Sequence, residues 1–161
     1  MDAVALLSQK VNDALRARSL TLATAESCTG GSIAAAITSM SGSSDIFKGG
    51  VVAYSNEIKE RLLGVAHETL ENYGAVSEPV VREMALGAKS AMCCDCAVAT
   101  SGIAGPSGGT PEKPVGTVWV AVAVGETVYT KLLQLVDNGR PANVNATVEK
   151  VLELLLEKLK K

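Results

Sequence analysis

The chain has 161 residues, of which 47% are hydrophobic and only 3% aromatic, and 15 Lys plus Arg against 17 Asp plus Glu give a net charge of −2. This length and apolar content predict one folded domain over residues 1–161 and exclude a disordered chain. The balanced charge and the scarcity of aromatic side chains argue against nucleic-acid binding, which needs a basic surplus and stacking surfaces.

No feature of the sequence indicates export, a membrane span or a metal. Charges recur along the N-terminal residues, and no apolar run reaches the ~20 residues of a membrane span. Three of the four cysteines (Cys93, Cys94 and Cys96) form "CCDC", which lacks the second ligand pair of a zinc site. We therefore expect reduced thiols in a cytoplasmic protein without a bound metal, and the sequence assigns no role to "CCDC".

The first half of the chain predicts helices alternating with strands. Residues 3–18 predict an amphipathic helix, "LTLATA" a strand and "GSIAAAITSM" a second helix. "GGVVAYS" predicts another strand, which ends near Tyr54. Asn56 is expected to cap the helix that follows, and Gly64 to stop it.

The second half predicts one long helix, a buried strand, a hairpin and a final helix. Pro79 is expected to begin the long helix, whose core contacts would be Val80, Val81, Met84 and Leu86. The strand "CAVATS" precedes a hairpin that turns at Gly125–Glu126, and Pro141 begins the last helix. This order predicts a three-layer α/β/α sandwich on a mixed, mainly parallel sheet with an antiparallel hairpin, a fold compatible with a homo-oligomer.

The stretch "TAESCTGG", residues 24–31, lies where the first strand passes into the next helix. Ser27 or Thr29 would serve there as an ordinary helix cap, the commonest role of such residues. Gly30 and Gly31 permit an anion to approach free N–H groups, although no Lys follows them as in a Walker loop. Ser27 is alternatively a nucleophile, and its neighbour Cys28 is a rival nucleophile or a buried packing residue.

A serine nucleophile needs a proton acceptor, and the sequence offers two kinds. A Ser–His–Asp triad would require the single histidine, His67, which we expect to be structural or exposed. Lys59 would act as the base if desolvation left its amine neutral, with Tyr54 relaying a proton or orienting that amine. From the residues alone, an ordinary solvated lysine is the favoured interpretation of Lys59.

The segment "SGIAGPSGGTPEKPVG", residues 101–116, is much longer than the about 2–6 residues of most connections. Such a loop presents backbone N–H groups suited to phosphate or carboxylate, and its candidate binding residues are Ser101, Gly102, Gly105, Gly108 and Gly109. Arg140, at the start of the last helix, would clamp a phosphate or is an ordinary surface residue.

Four motifs together resemble the CinA C-terminal domain family. They are "TAESCTGG", "GSS" with the later "YSNE", "GAVSEPVV", and "SGIAGPSGG" with "KPVGTVW". The likeness as a whole extends from the first helix to at least Arg140. Stand-alone members of that family are nicotinamide-nucleotide amidohydrolases. The resemblance therefore implies hydrolysis of nicotinamide mononucleotide to nicotinate mononucleotide and ammonia, a step of pyridine-nucleotide salvage that needs no cofactor.

The resemblance also implies roles for particular residues. It places the nucleophile at Ser27, the lysine at Lys59 and the tyrosine at Tyr54. Ser44 and Ser101 match further hydroxyl positions of the active site, and Arg140 matches an arginine near the last helix. Independently of the resemblance, we expect Thr29, Gly30 and Gly31 to shape the helix start around Ser27 and to contact the substrate there. Many relatives carry a second arginine where this chain has Asn145. The absence of that arginine would weaken phosphate binding.

Two alternative functions stay open at this stage. One is a non-catalytic nucleotide- or anion-binding module linked to competence or the DNA damage response. The other is an amidase for a different small amide.

Overall fold

The computed structural model describes residues 2–160. Its helices are α1 Ala3–Ala17, α2 Ser32–Thr38, α3 Asn56–Leu63, α4 His67–Tyr73, α5 Glu78–Ala91 and α6 Arg140–Leu159. Its strands are β1 Leu22–Glu26, β2 Phe47–Val52, β3 Cys96–Gly102, β4 Thr117–Val124 and β5 Thr127–Gln134. A single 3₁₀ turn, Ser43–Asp45, precedes β2.

The five strands form one mixed sheet in the order β2-β1-β3-β4-β5. β1 is parallel to both of its neighbours, β2 and β3, whereas β4 is antiparallel to β3 and to β5. Val124 pairs with Thr127, so the predicted hairpin turn at Gly125–Glu126 is confirmed. The carboxyl ends of the three parallel strands therefore meet at one edge of the sheet.

Helices cover both faces of this sheet, which confirms the three-layer sandwich. One core lies between the sheet and α1, α2 and α6, and is built from Leu, Ile and Val side chains such as Leu15, Ile33 and Leu152. The other core lies between the sheet and α3, α4 and α5. None of the helices in residues 2–160 combines the length and the apolar composition that a bilayer span requires.

Small residues bring α5 close to its neighbours. The sheet face in the second core consists largely of alanines: Ala23, Ala25, Ala97, Ala99, Ala121 and Ala123. On the side toward α3, a Cβ at Gly87 would lie 1.8 Å from the carbonyl oxygen of Leu63. Because no side chain separates them, α5 supports the backbone of α3 directly.

Several local predictions were wrong. Leu86 is an exposed residue of α5, because it lies about 200° around the helix from the buried Met84. Ser55, not Asn56, caps α3, and its Oγ accepts a hydrogen bond from the N–H of Ile58 (3.2 Å). β2 ends at Val52, so Tyr54 lies in the connection after the strand.

Candidate active site

The carboxyl ends of β1, β2 and β3 hold the candidate site. Ser27 follows β1 directly, and its N–H donates to the carbonyl of Thr100 in β3 (3.1 Å). Ala53 follows β2, and its N–H donates to the carbonyl of Glu26 in β1 (2.7 Å). The chain leaves β1 toward β2 and returns to β3 on the other side, and such a switch point is where open α/β sheets bind ligands.

Lys59 places a buried amine in this site. It lies in α3, only 2% exposed, and its Nζ is 3.2 Å from the Oγ of Ser27. The same Nζ donates to the carbonyl oxygen of Ala53 (2.9 Å), which orients the amine. Among residues 2–160 no carboxylate forms an ion pair with Lys59, and desolvation lowers its pKa.

Cys28 lies beside Ser27 but is a poor rival nucleophile. Burial raises the pKa of its thiol to about 11. A thiol with such a pKa is protonated at neutral pH, and the thiolate is the reactive form of cysteine. Of the two neighbouring side chains, the Ser27 hydroxyl is therefore the one paired with a potential base.

A cavity of about 290 Å³ opens in front of Ser27 and Lys59. Its volume is close to the lower bound of about 300 Å³ for small-molecule sites. The loop after β3 forms one wall through Gly102, Gly105 and Gly108, and the α4–α5 connection forms another. Ser101 also lines the cavity and is only 1% exposed, and its hydroxyl bonds to no other described residue.

Arg140 and Tyr54 stand together at the cavity. Nη1 of Arg140 donates to the carbonyl of Gly105 (2.7 Å), and its Nη2 donates to the hydroxyl of Tyr54. Arg140 forms no ion pair with a carboxylate of the described chain, so most of its five N–H donors are available to an anion. Tyr54 is 59% exposed.

The sequence profile of the CinA C-terminal domain matches residues 4–159. This chain belongs to the CinA C-terminal domain family. Nicotinamide-nucleotide amidohydrolase PncC of Escherichia coli (strain K12) is 60% identical to it over 117 residues, which are 73% of this chain and 71% of that protein. A putative competence-damage inducible protein of Thermoanaerobacter pseudethanolicus is 54% identical over 121 residues, 75% of this chain but 29% of that protein.

Solved structures of the CinA superfamily have the same fold over their whole length. The competence/damage inducible protein CihA from Agrobacterium tumefaciens superposes with a TM-score of 0.96 at 40% identity. That superposition covers 100% of this chain and 98% of the other. A CinA superfamily protein from Klebsiella pneumoniae 700603 superposes with a TM-score of 0.95 at 38% identity, over 99% of both chains.

Glu26 is the residue of this CinA domain that the sequence reasoning missed. Its buried carboxylate accepts hydrogen bonds from the Thr29 hydroxyl (2.6 Å), the Ile33 N–H (2.8 Å) and the Ala34 N–H (3.0 Å). A carboxylate therefore already occupies the N-terminus of α2, and the N-cap residue is Gly31, not Ser27 or Thr29. The signal was an acidic residue at the end of a short strand that otherwise contains only Leu, Ala and Thr.

The three residues of the "TAESCTGG" motif that were predicted to bind substrate, Thr29, Gly30 and Gly31, lie outside the cavity lining. Thr29 is buried behind Ser27, where its hydroxyl meets that of Thr100 (2.9 Å) as well as Glu26. Gly30 and Gly31 both have positive φ angles, +58° and +99°, which the turn into α2 requires. These residues shape the segment that carries Ser27.

Other predicted positions lie elsewhere on the surface. Ser44 lines a separate hollow of about 450 Å³ that shares no wall residue with the Ser27 cavity. Asn145 lines a third hollow, of about 460 Å³ between α1, α2 and α6, which borders the cavity through Arg140. Gly109 is exposed and belongs to neither the cavity nor these hollows.

The histidine and the remaining cysteines do not reach the cavity. His67 is exposed at the start of α4, where the hydrogen bond that its ring N–H donates to the Glu60 carboxylate raises its pKa. Cys93 and Cys94 lie between α5 and β3, and Cys96 is the first residue of β3, at the opposite edge of the sheet from Ser27. Within the described chain, no three His, Cys, Asp or Glu side chains are arranged to hold a metal ion.

Proposed function

We propose that this protein hydrolyses the carboxamide of nicotinamide mononucleotide, giving nicotinate mononucleotide and ammonia, with Ser27 as nucleophile and Lys59 as base. The family and the 60% identity to an enzyme named nicotinamide-nucleotide amidohydrolase support an amide hydrolase. The four free cysteines support a reducing compartment, the cytoplasm, where pyridine-nucleotide salvage would take place.

The observation that carries the proposal is the contact between Lys59 and Ser27. An ordinary lysine is protonated at neutral pH and cannot accept a proton. Lys59 is buried without a carboxylate partner, and desolvation lowers its pKa, so its amine loses its proton more readily than that of an exposed lysine. In the neutral form its lone pair can accept the proton of Ser27 Oγ across the observed 3.2 Å.

The reaction then has two steps that balance in atoms and protons. Ser27 Oγ attacks the carboxamide carbon while its proton passes to Lys59, and the tetrahedral intermediate collapses to an acyl-enzyme ester. The departing amide nitrogen takes that proton from Lys59 and leaves as ammonia. A water molecule, deprotonated in turn by Lys59, attacks the ester carbon. The ester bond to Ser27 Oγ then breaks, that oxygen takes the proton back from Lys59, and the nicotinate product leaves.

Backbone and side-chain donors around Ser27 suit the other parts of the substrate. Cys28 lines the cavity, and its N–H donates to no backbone carbonyl elsewhere in residues 2–160, so we assign this N–H to the developing oxyanion. Arg140 is assigned to the substrate phosphate, which its guanidinium can bind through two parallel hydrogen bonds. Tyr54 bonds to Arg140 and not to Lys59, so its ring, at the cavity, is assigned to the pyridine.

The proposal is tested by incubating the purified protein with nicotinamide mononucleotide and measuring ammonia and nicotinate mononucleotide together. Equal amounts of the two products, absent with Ser27→Ala, are expected. Calorimetric binding without ammonia release would indicate the non-catalytic module instead. Ammonia from other amide-bearing nucleotides, but not from this one, would indicate an amidase with a different substrate.

A further inference from the structure

Two loops face each other across the cavity of the candidate site. One is the connection between α4 and α5, which contributes Ala75 and Val76 to the cavity wall. The other is the loop of residues 103–116 between β3 and β4, which contributes the stretch from Ile103 to Gly108. The distance between these loops sets how tightly a substrate is enclosed in front of Ser27.

The side chain of Lys113 joins the two loops. Its Nζ donates to the carbonyl of Val76 (2.7 Å) and to the carbonyl of Tyr73 (3.2 Å), the last residue of α4. A cation is favourable there because helix C-terminal carbonyls carry partial negative charge. Within residues 2–160, these two are the only hydrogen bonds between the segment 73–77 and the loop 103–116.

The backbone around Lys113 is itself fixed. The N–H of Thr110 donates to the carbonyl of Lys113 (2.9 Å), and the N–H of Lys113 donates to the hydroxyl of Thr110 (3.0 Å). Two residues further on, Val115 packs so closely on Gly105 that a Cβ there would lie 2.5 Å from its Cγ1. Lys113 is therefore connected through short, ordered segments to the wall that contacts the substrate.

We propose that Lys113 is a positioning residue, which holds the 73–77 connection against the 103–116 loop and so fixes the cavity for the substrate. This inference rests on the proposed function of the site. Lys113 does not line the cavity and reaches neither Ser27 nor Lys59, so its effect is on substrate binding and not on proton transfer.

Steady-state kinetics with nicotinamide mononucleotide separates these effects. Lys113→Met, which keeps the length of the stem but not the donors, is expected to raise KM about tenfold and to leave kcat within about twofold, since hydrogen bonds from a charged group are lost. Lys113→Arg restores the donors and is expected to recover most of the affinity. The exposed neighbour Glu112 provides the control, because Glu112→Gln should leave both constants unchanged.

Hydrogen–deuterium exchange tests the same inference without substrate. In Lys113→Met, peptides covering 73–77 and 103–116 are expected to exchange faster than in the wild type, while the α1–β1 peptides keep their rates. Unchanged exchange rates in both loops of Lys113→Met would overturn the inference. Faster exchange with an unchanged KM would also overturn it, and so would a decrease in kcat at an unchanged KM. If the wild type releases no ammonia, the proposed function fails, and exchange alone then decides whether Lys113 holds the loops.

Discussion

Replacement of Lys59 by methionine tests the central step of the proposed reaction. Methionine fills a similar volume and removes the amine that lies 3.2 Å from Ser27 Oγ. General-base catalysis contributes about 10²–10⁴ in rate. No other described cation or histidine contacts Ser27, so we expect kcat/KM for nicotinamide mononucleotide to fall by about 10²–10⁴. At 1.36 kcal/mol per tenfold, this loss corresponds to about 2.7–5.4 kcal/mol of transition-state stabilisation.

The pH dependence of the rate distinguishes loss of a base from loss of structure. The amine is active when neutral, and its pKa is below the ordinary value of 10.5. In the wild type, kcat/KM should therefore rise with pH through a pKa lower than 10.5 and level off above it. In Lys59→Met this rising limb should disappear, as ammonia release measured across the pH range would show.

Stability provides an independent check of the same pKa. Between the folded-state pKa of Lys59 and 10.5, the unfolded chain binds more protons than the folded one, so this residue makes stability rise with pH in that window. Below the window the folded protein bears the full cost of a buried ammonium. The wild type should therefore gain stability relative to Lys59→Met as pH approaches 10.5. Urea titrations of both proteins should show that the free energy of unfolding of Lys59→Met minus that of the wild type decreases over this range.

Lys10 offers a matched control for this substitution. It is an exposed lysine of α1, and Lys10→Met should leave the rate, its pH profile and the stability unchanged. A Lys59→Met enzyme that keeps a rate within threefold of the wild type, with the rising limb intact, would refute the assignment of Lys59 as the base.

Four further substitutions test other parts of the site. Ser27→Ala should reduce ammonia release at least as much as Lys59→Met, whereas Cys28→Ala should retain most of the activity. If instead Cys28→Ala is the inactive variant and Ser27→Ala the active one, the nucleophile is the Cys28 thiol. Arg140→Met should raise KM for nicotinamide mononucleotide about 10–100-fold, from a lost charged hydrogen bond of about 1.5–3 kcal/mol, but leave KM for the phosphate-free riboside nearly unchanged. An equal rise for both substrates would contradict phosphate binding. Glu26→Gln replaces an acceptor by a donor facing buried N–H groups of α2 and should cost about 1–3 kcal/mol in urea unfolding; an unchanged midpoint would show that the carboxylate is not needed there.

The layered fold could be predicted because its signals are local or periodic. The apolar spacing of α1, Gly64 after α3, Pro79 in the first turn of α5 and the Gly125–Glu126 turn all correspond to observed elements. Errors arose where tertiary packing decides. Leu86 has the residue type of a core position, but its place on the outer side of α5 exposes it.

The candidate site was only partly predictable for a related reason. The order of strands brings Ser27, the β2–α3 connection and the 101–116 loop to one edge, and that order followed from the alternation of elements. The burial of Lys59 could not be inferred from its own neighbours in sequence, since "NEIKER" has the composition of a solvated helix. Its exposure of 2% results from the packing of α3 against α5 and the end of β2. Glu26 could not be recognised from sequence because two of its three donors are backbone N–H groups of the helix that follows it.

Ala53 connects the two reacting side chains through the backbone. Its N–H donates to the carbonyl of Glu26, next to Ser27, and its carbonyl accepts from Lys59. The distance from Ser27 Oγ to Lys59 Nζ thus depends on hydrogen bonds of the protein's own main chain. No binding energy of the substrate is therefore needed to bring these two groups together. A substrate fragment that lacks the ribose phosphate should therefore bind more weakly yet, once bound, meet an already assembled pair, and a small acylating reagent should modify Ser27 in the free protein.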